Sequence, residues 1–93
     1  MEIVYLDTED VELLHDKLIE LYGGFPGRES GKLESMLAMP SSGFGDFEKY
    51  PTICDKATVY HYYLASGHCF FDGNKRTSYV AAFTFLDLNG YEL

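Results

Sequence analysis

Basic residues are scarce in this chain. Lys and Arg number 7 against 15 Asp and Glu, a formal net charge of −8. A nucleic-acid binder needs a basic footprint to displace counterions from phosphates, so direct nucleic-acid binding is not expected. Cysteine is scarcer still. Cys54 and Cys69 are too few for a disulfide scaffold and lack the spacing of a zinc site, so they read as free thiols in a reducing cytoplasm. No run approaches the roughly 20 apolar residues that a membrane span requires. No basic region precedes an apolar stretch at the N-terminus, so a secretion signal is not expected either. Repeats, low-complexity tracts and linkers are lacking, and 1–93 therefore reads as a single domain. What is plentiful excludes disorder: hydrophobic residues make up 46% and aromatics 16%.

Hydrophobic spacing points to an all-α fold. Met1 to Leu6 reads as an extended lead-in. Asp7 and Thr8 offer oxygens to cap a first helix, and Glu9, Asp10 and Glu12 suit its positive end. Val11, Leu14, Leu18 and Leu21 recur at helical steps until Gly23-Gly24. Phe25-Pro26-Gly27 signals a turn. Ser30-Gly31 leads into a shorter helix carrying Leu33, Met36 and Leu37, which Pro40 stops. The stretch PSSGFGDFEKY, Pro40 to Tyr50, fits neither period and reads as a loop or weak hairpin. A third helix is expected to start near Pro51, with Ile53, Ala57, Tyr60 and Leu64 on one face, and to close at Gly67. Asn74 is expected to cap a fourth helix that Asn89-Gly90 terminates. That helix is apolar nearly all round, which predicts burial on every side. Three other helices are thin cover for it. Either the chain is short at the C-terminus, or another subunit supplies the cover as a homo-oligomer, with swapping of helices included.

The chemistry concentrates in His68-Cys69-Phe70-Phe71-Asp72-Gly73-Asn74-Lys75-Arg76-Thr77. A loop here delivers an imidazole, a carboxylate and a glycine into a helix N-terminus, where unpaired N–H groups carry partial positive charge. Lys75 and Arg76 stand in the first turn, where cations oppose the helix dipole at a cost of up to about 1 kcal/mol. A bound anion gives them a reason to be there, and phosphate is the obvious one. Asp72 beside a phosphate repels it unless a cation intervenes. Mg²⁺, held by one carboxylate plus phosphate oxygens and water, fits that need. His68 is placed to take a proton from an incoming hydroxyl. A base, a metal carboxylate, an amide cradle and two cations are the parts that phosphoryl or nucleotidyl transfer requires.

HCFFDGNKRT resembles the signature loop of the Fic/Doc family, H-x-F-x-[D/E]-[G/A]-N-[K/G]-R, and matches each specified position. YGGFPG at 22–27, SGKLESMLAMP at 30–40 and FLDLNGYEL at 85–93 resemble the Doc-like (death-on-curing) toxin branch. The resemblance implies an all-α core with the loop between two central helices, and a chain that is short at the C-terminus. It implies His68, Asp72, Lys75 and Arg76 as the catalytic set, with His68 the general base. Gly73, Asn74, Lys75 and Arg76 would bind nucleotide, Asp72 would hold Mg²⁺, and Phe70 would anchor the loop. The stretch at 40–50 would be the flap that aligns the target chain as an added strand.

Lys75 is the Doc pattern. AMP-transferring members usually carry Gly there, and a second Arg where this chain has Tyr79; Gly73, by contrast, is their choice. Lys75 and Tyr79 change the charge at the phosphates and weigh more. The resemblance therefore implies transfer of the γ-phosphate of ATP to a Ser/Thr hydroxyl of a translation factor, elongation factor Tu in this branch. AMP transfer, or a non-catalytic binding module, is the alternative. A self-inhibitory Ser/Thr-x-x-x-Glu-Gly/Asn element is not recognisable, which implies control by a partner: a small Phd-like antitoxin whose flexible tail folds into a groove.

Outside the loop, His15 reads as a solvated polar-face residue beside Asp16. His61, among tyrosines, reads as structural, and the tyrosines as core with polar tips. Phe44 and Phe47 are expected either to tuck into the core or to meet a partner.

Overall fold

The computed structural model describes residues 2–29 and 31–91. It is helical. Helix α1 spans Thr8–Tyr22, α2 Lys32–Leu37, α3 Ile53–Ser66 and α4 Asn74–Leu88. Between α2 and α3 stands a two-stranded antiparallel hairpin, β1 Gly43–Phe44 and β2 Phe47–Glu48, with Gly43 opposite Glu48 and Phe44 opposite Phe47. The stretch read as a loop or weak hairpin is thus a hairpin. Ser30, expected to lead into α2, and the Glu92-Leu93 end of the closing segment lie outside the described residues, as does Met1.

Local chemistry sets the helix starts. Asp7 caps α1 through a reciprocal pair: its Oδ1 accepts from the Asp10 N–H at 2.8 Å, and Asp10 Oδ2 accepts from the Asp7 N–H at 3.0 Å. Thr52 and Asp55 repeat the device on α3. Pro51 therefore lies one residue before the cap and not in the first turn. Asn74 does not cap α4. Gly73, in the left-handed region at φ +75°, occupies that position and provides no side chain. A glycine there reverses the backbone sharply into the helix at no steric cost.

Helix α4 packs against α3 and, less extensively, against α1. Val11, Leu33, Tyr60, Leu64, Ala81 and Phe85 are all buried within the core. The N-terminal segment is sealed onto this core at both ends. Leu6, itself buried, donates its N–H to the Tyr60 hydroxyl at 3.0 Å. Asn89, just past α4, accepts from the Val4 N–H and donates to the Val4 carbonyl, each at 2.9 Å.

The expectation that α4 is buried on every side is overturned. Tyr79, Phe83 and Leu88 are 54%, 50% and 47% exposed. The reason is the thin cover noted from the sequence: α3 and α1 take two faces, and no described element takes the third. On α1, Leu21 is likewise exposed, and the tyrosine cluster divides, Tyr60 being buried and Tyr62 exposed.

Burial pushes the Tyr60 phenol up to about 12. From about pH 10, where an unfolded tyrosine ionises, the folded chain retains a proton that the unfolded chain loses. This contribution to stability is complete below pH 10 and is lost as pH rises toward 12. Thermal melts across that window are expected to fall steadily, and Tyr60→Phe to flatten the fall.

Candidate active site at the start of helix α4

The loop from Gly67 to Gly73 is stapled from three sides. Segment 27–29 runs antiparallel to 69–71: the Glu29 N–H donates to the Cys69 carbonyl at 2.9 Å and the Phe71 N–H to the Gly27 carbonyl at 3.2 Å. Arg28, opposite Phe70 in this pairing, forks onto Glu34 of α2 at 2.9 and 3.0 Å and reaches Glu12 of α1 at 3.2 Å. Its hydrogen bond holds the Glu34 carboxyl below the usual carboxylate range. The second staple is Asn74. Its amide accepts from the Phe70 N–H at 3.0 Å and donates to the Phe70 carbonyl at 2.9 Å. The side chain expected to cap the helix and face a phosphate is turned back to close the loop.

The third staple is His15, and the expectation of a solvated residue there is wrong. His15 is 1% exposed. Its ring stacks on Phe70 at 3.8 Å and 8°. Its Nε2 lies 2.8 Å from the Asp72 carbonyl oxygen, which only accepts, so Nε2 carries the proton. The sequence held a signal: His15 stands four residues after Val11 and three before Leu18, on the apolar stripe of α1. Phe70 is 4% exposed and anchors the loop as expected. Burial pushes the Cys69 thiol up, keeping it protonated and unsuited to nucleophilic attack.

This scaffold presents one cavity of about 420 Å³, lined by His68, Phe71, Asp72, Gly73, Lys75 and Arg76 with Asn74 and Ala65. Its volume falls in the range of small-molecule sites. The sequence-expected residues are thus brought together around one space. His68 is exposed and held at φ +51°, a conformation that non-glycine residues seldom adopt and that recurs at functional sites. The first amide to donate within α4 is that of Thr77, to the Gly73 carbonyl at 3.0 Å. The N–H groups of Asn74, Lys75 and Arg76 open the helix free of intrahelical partners. Arg76 lies with its guanidinium 4.4 Å from the centre of the Tyr22 ring.

Asp72 is fixed by backbone donors. Oδ2 accepts from the Phe25 N–H at 3.0 Å and Oδ1 from the Gly73 N–H at 2.9 Å. Each oxygen keeps a lone pair free, and the side chain is half-buried at the cavity wall. Among the described residues no group of three or more His, Cys, Asp or Glu could enclose a metal. A lone carboxylate beside an anion cradle fits an ion that takes its other ligands from phosphate and water, which is how Mg²⁺ binds with nucleotides.

Gly24 was read as part of the Gly23-Gly24 pair that ends the first helix. It is held at φ +124°, and a Cβ there would meet Asp72 Oδ2 at 2.7 Å and Ile19 Cδ1 at 3.0 Å. Gly24→Ala is expected to cost roughly 1–2 kcal/mol and to push the Asp72 carboxylate off its two donors. Urea denaturation checks the first effect and calorimetric titration with Mg·ATP, expected to weaken, the second.

The hairpin exposes both of its aromatics. Phe44 and Phe47 are 79% and 57% exposed, their rings 5.4 Å apart, so neither tucks into the core. Tyr79, which replaces the second arginine of AMP-transferring proteins, stays out of the cavity. It lines a separate groove between α3 and α4 and stands 4.4 Å from the His61 ring. No helix among the described residues is long and apolar enough to cross a membrane.

Comparison with known proteins agrees with this geometry. Residues 5–86 match the Fic/DOC family. The chain is 40% identical over 89 residues to Toxin Doc of Mycolicibacterium smegmatis (strain ATCC 700084 / mc(2)155), a match covering 96% of this chain and 67% of that protein. It is 31% identical over 90 residues to Protein kinase doc of Escherichia phage P1, covering 96% of this chain and 71% of the relative. With its helical core, its stapled signature loop and these relatives, the chain belongs to the Fic/DOC family.

Proposed function

We propose that this chain is the toxin of a toxin–antitoxin pair, a protein kinase that transfers the γ-phosphate of ATP to a Ser or Thr hydroxyl of a translation factor, elongation factor Tu or a protein like it. The observation that carries this reading is the single cavity shared by His68, Asp72 and the opening of α4. The name of one relative, Protein kinase doc, supports phosphate as the group transferred. So does the placement of Lys75 in the cavity and of Tyr79 outside it.

The residues divide the work. The free amides of Asn74, Lys75 and Arg76, with the two cationic side chains, take the phosphates. Asp72 would hold Mg²⁺, which when bound supplies charge neutralisation between the phosphate oxygens. His68 accepts the proton of the target hydroxyl as that oxygen bonds to the γ-phosphorus and the β–γ bridging bond breaks, releasing ADP. The hairpin offers a free strand edge and two exposed aromatics to an extended target segment, the mode of β-strand addition. Control falls to a Phd-like antitoxin, and the setting is cytoplasmic.

Labelled ATP tests the reaction. Label on the γ-phosphate is expected to move to elongation factor Tu, and label on the α-phosphate to stay in the nucleotide. Movement of the α-label instead would establish AMP transfer. Immobility of both labels would overturn the reading.

A further inference from the structure

Lys56 is the most deeply buried charge in the described structure, with its side chain 0% exposed. It stands in the first turn of α3, away from the cavity. Its ammonium donates to the Pro40 carbonyl at 3.3 Å, to the Glu48 carboxylate at 3.1 Å and to the Tyr50 carbonyl. All three of its protons are thereby used. Pro40 and Tyr50 are the two ends of the segment that carries the hairpin, and Glu48 is in its second strand. One side chain on a rigid helix therefore grips both feet of the hairpin and one of its strands.

The hairpin needs such a grip. Two paired residues per strand, all exposed, make a ribbon that is marginal in water by itself. Burying an ammonium is costly, and an apolar side chain would fill the same space without desolvating a charge. Burial works against the charge at Lys56, but Glu48 and Tyr5 beside it raise the ammonium above its ordinary range, so it stays protonated.

We infer that Lys56 is a positioning residue for the acceptor protein: it sets the hairpin at the height and angle from which an added strand would deliver its hydroxyl to His68. This rests on the reading of the hairpin as the docking edge. It assigns the alignment of that edge to a residue that touches neither nucleotide nor acceptor.

The test compares Lys56→Met, which keeps the length of the side chain, with the natural chain. Backbone NMR order parameters over 43–48 are expected near the rigid value of about 0.85 in the natural chain and below about 0.6 in the variant. Mg·ATP affinity by calorimetry is expected to stay within twofold. With elongation factor Tu as acceptor, KM is expected to rise at least tenfold, while kcat at saturating acceptor changes far less. Glu48→Ala, at a half-exposed site, removes one of the three partners without touching the core and is expected to shift both readouts in the same direction by less. It serves if Lys56→Met does not fold. Order parameters unchanged in a folded variant would overturn the clamp. A mobile hairpin with an unchanged acceptor KM would overturn the positioning role. A natural chain that transfers no label to elongation factor Tu counts against the proposed reaction, while the order parameters still decide the clamp.

Discussion

Replacing His68 by Ala is expected to lower phosphoryl transfer by about 10²–10⁴-fold, the usual contribution of a positioned general base. The fold is expected to survive, because the His68 side chain is exposed and makes none of the bonds that staple the loop. Its backbone is left-handed, at φ +51°, a region that Ala disfavours, so Ala also perturbs the chain path. His68→Asn removes that ambiguity. Asparagine tolerates the left-handed region but cannot accept the proton. Both variants are expected to bind Mg·ATP as the natural chain does and to transfer its phosphate poorly. Radiolabel transfer checks the rate and calorimetry the binding.

The second large effect is expected at His15, which does not line the cavity. His15→Leu deletes the proton donated to the Asp72 carbonyl and the stack on Phe70. An orphaned, partly buried acceptor costs about 1–3 kcal/mol, and a lost aromatic stack about 0.5–1.5 kcal/mol. Together they predict a loss of roughly 2–4 kcal/mol in urea denaturation. Asp72 and Gly73 then lose the support that aims them at the site, and Mg·ATP binding is expected to weaken at least tenfold. His15→Gln can still donate from a comparable reach, so it is expected to recover part of the binding. Equal loss in both variants would mean that the stack, and not the donated proton, positions the loop.

Much of the site was legible because its chemistry is contiguous. His68, Asp72, Gly73, Lys75 and Arg76 fall within one short stretch, and two cations at a helix start are already unexpected without an anion. The start of α1 at Asp7 was readable for a similar reason, since the cap and its acidic first turn are neighbours in the chain, whereas the Thr52–Asp55 cap of α3 was passed over for Pro51. What was not legible depends on distant partners. His15 stands on the apolar stripe of α1, but the carbonyl that satisfies its buried ring lies 57 residues away, and no neighbour in the chain identifies it. Lys56 drew no expectation from the sequence, because its three acceptors, Pro40, Glu48 and Tyr50, come together only when the hairpin folds back over it. Asn74 is a favoured capping residue, but the positive φ available to Gly73 moved the cap back by one position and freed Asn74 to bind Phe70. The apolar circumference of α4 was read correctly as composition and wrongly as burial, since periodicity reports which faces are apolar and not how many neighbours cover them.

The most direct measurement is backbone amide NMR of the natural chain titrated with Mg·ATP. The resonances of Gly73, Asn74, Lys75 and Arg76 are expected to move, with Asp72→Asn suppressing the change. Shifts confined instead to the α3–α4 groove around His61, Tyr79 and Phe83, or no shift at saturating nucleotide, would contradict a triphosphate seated at the start of α4.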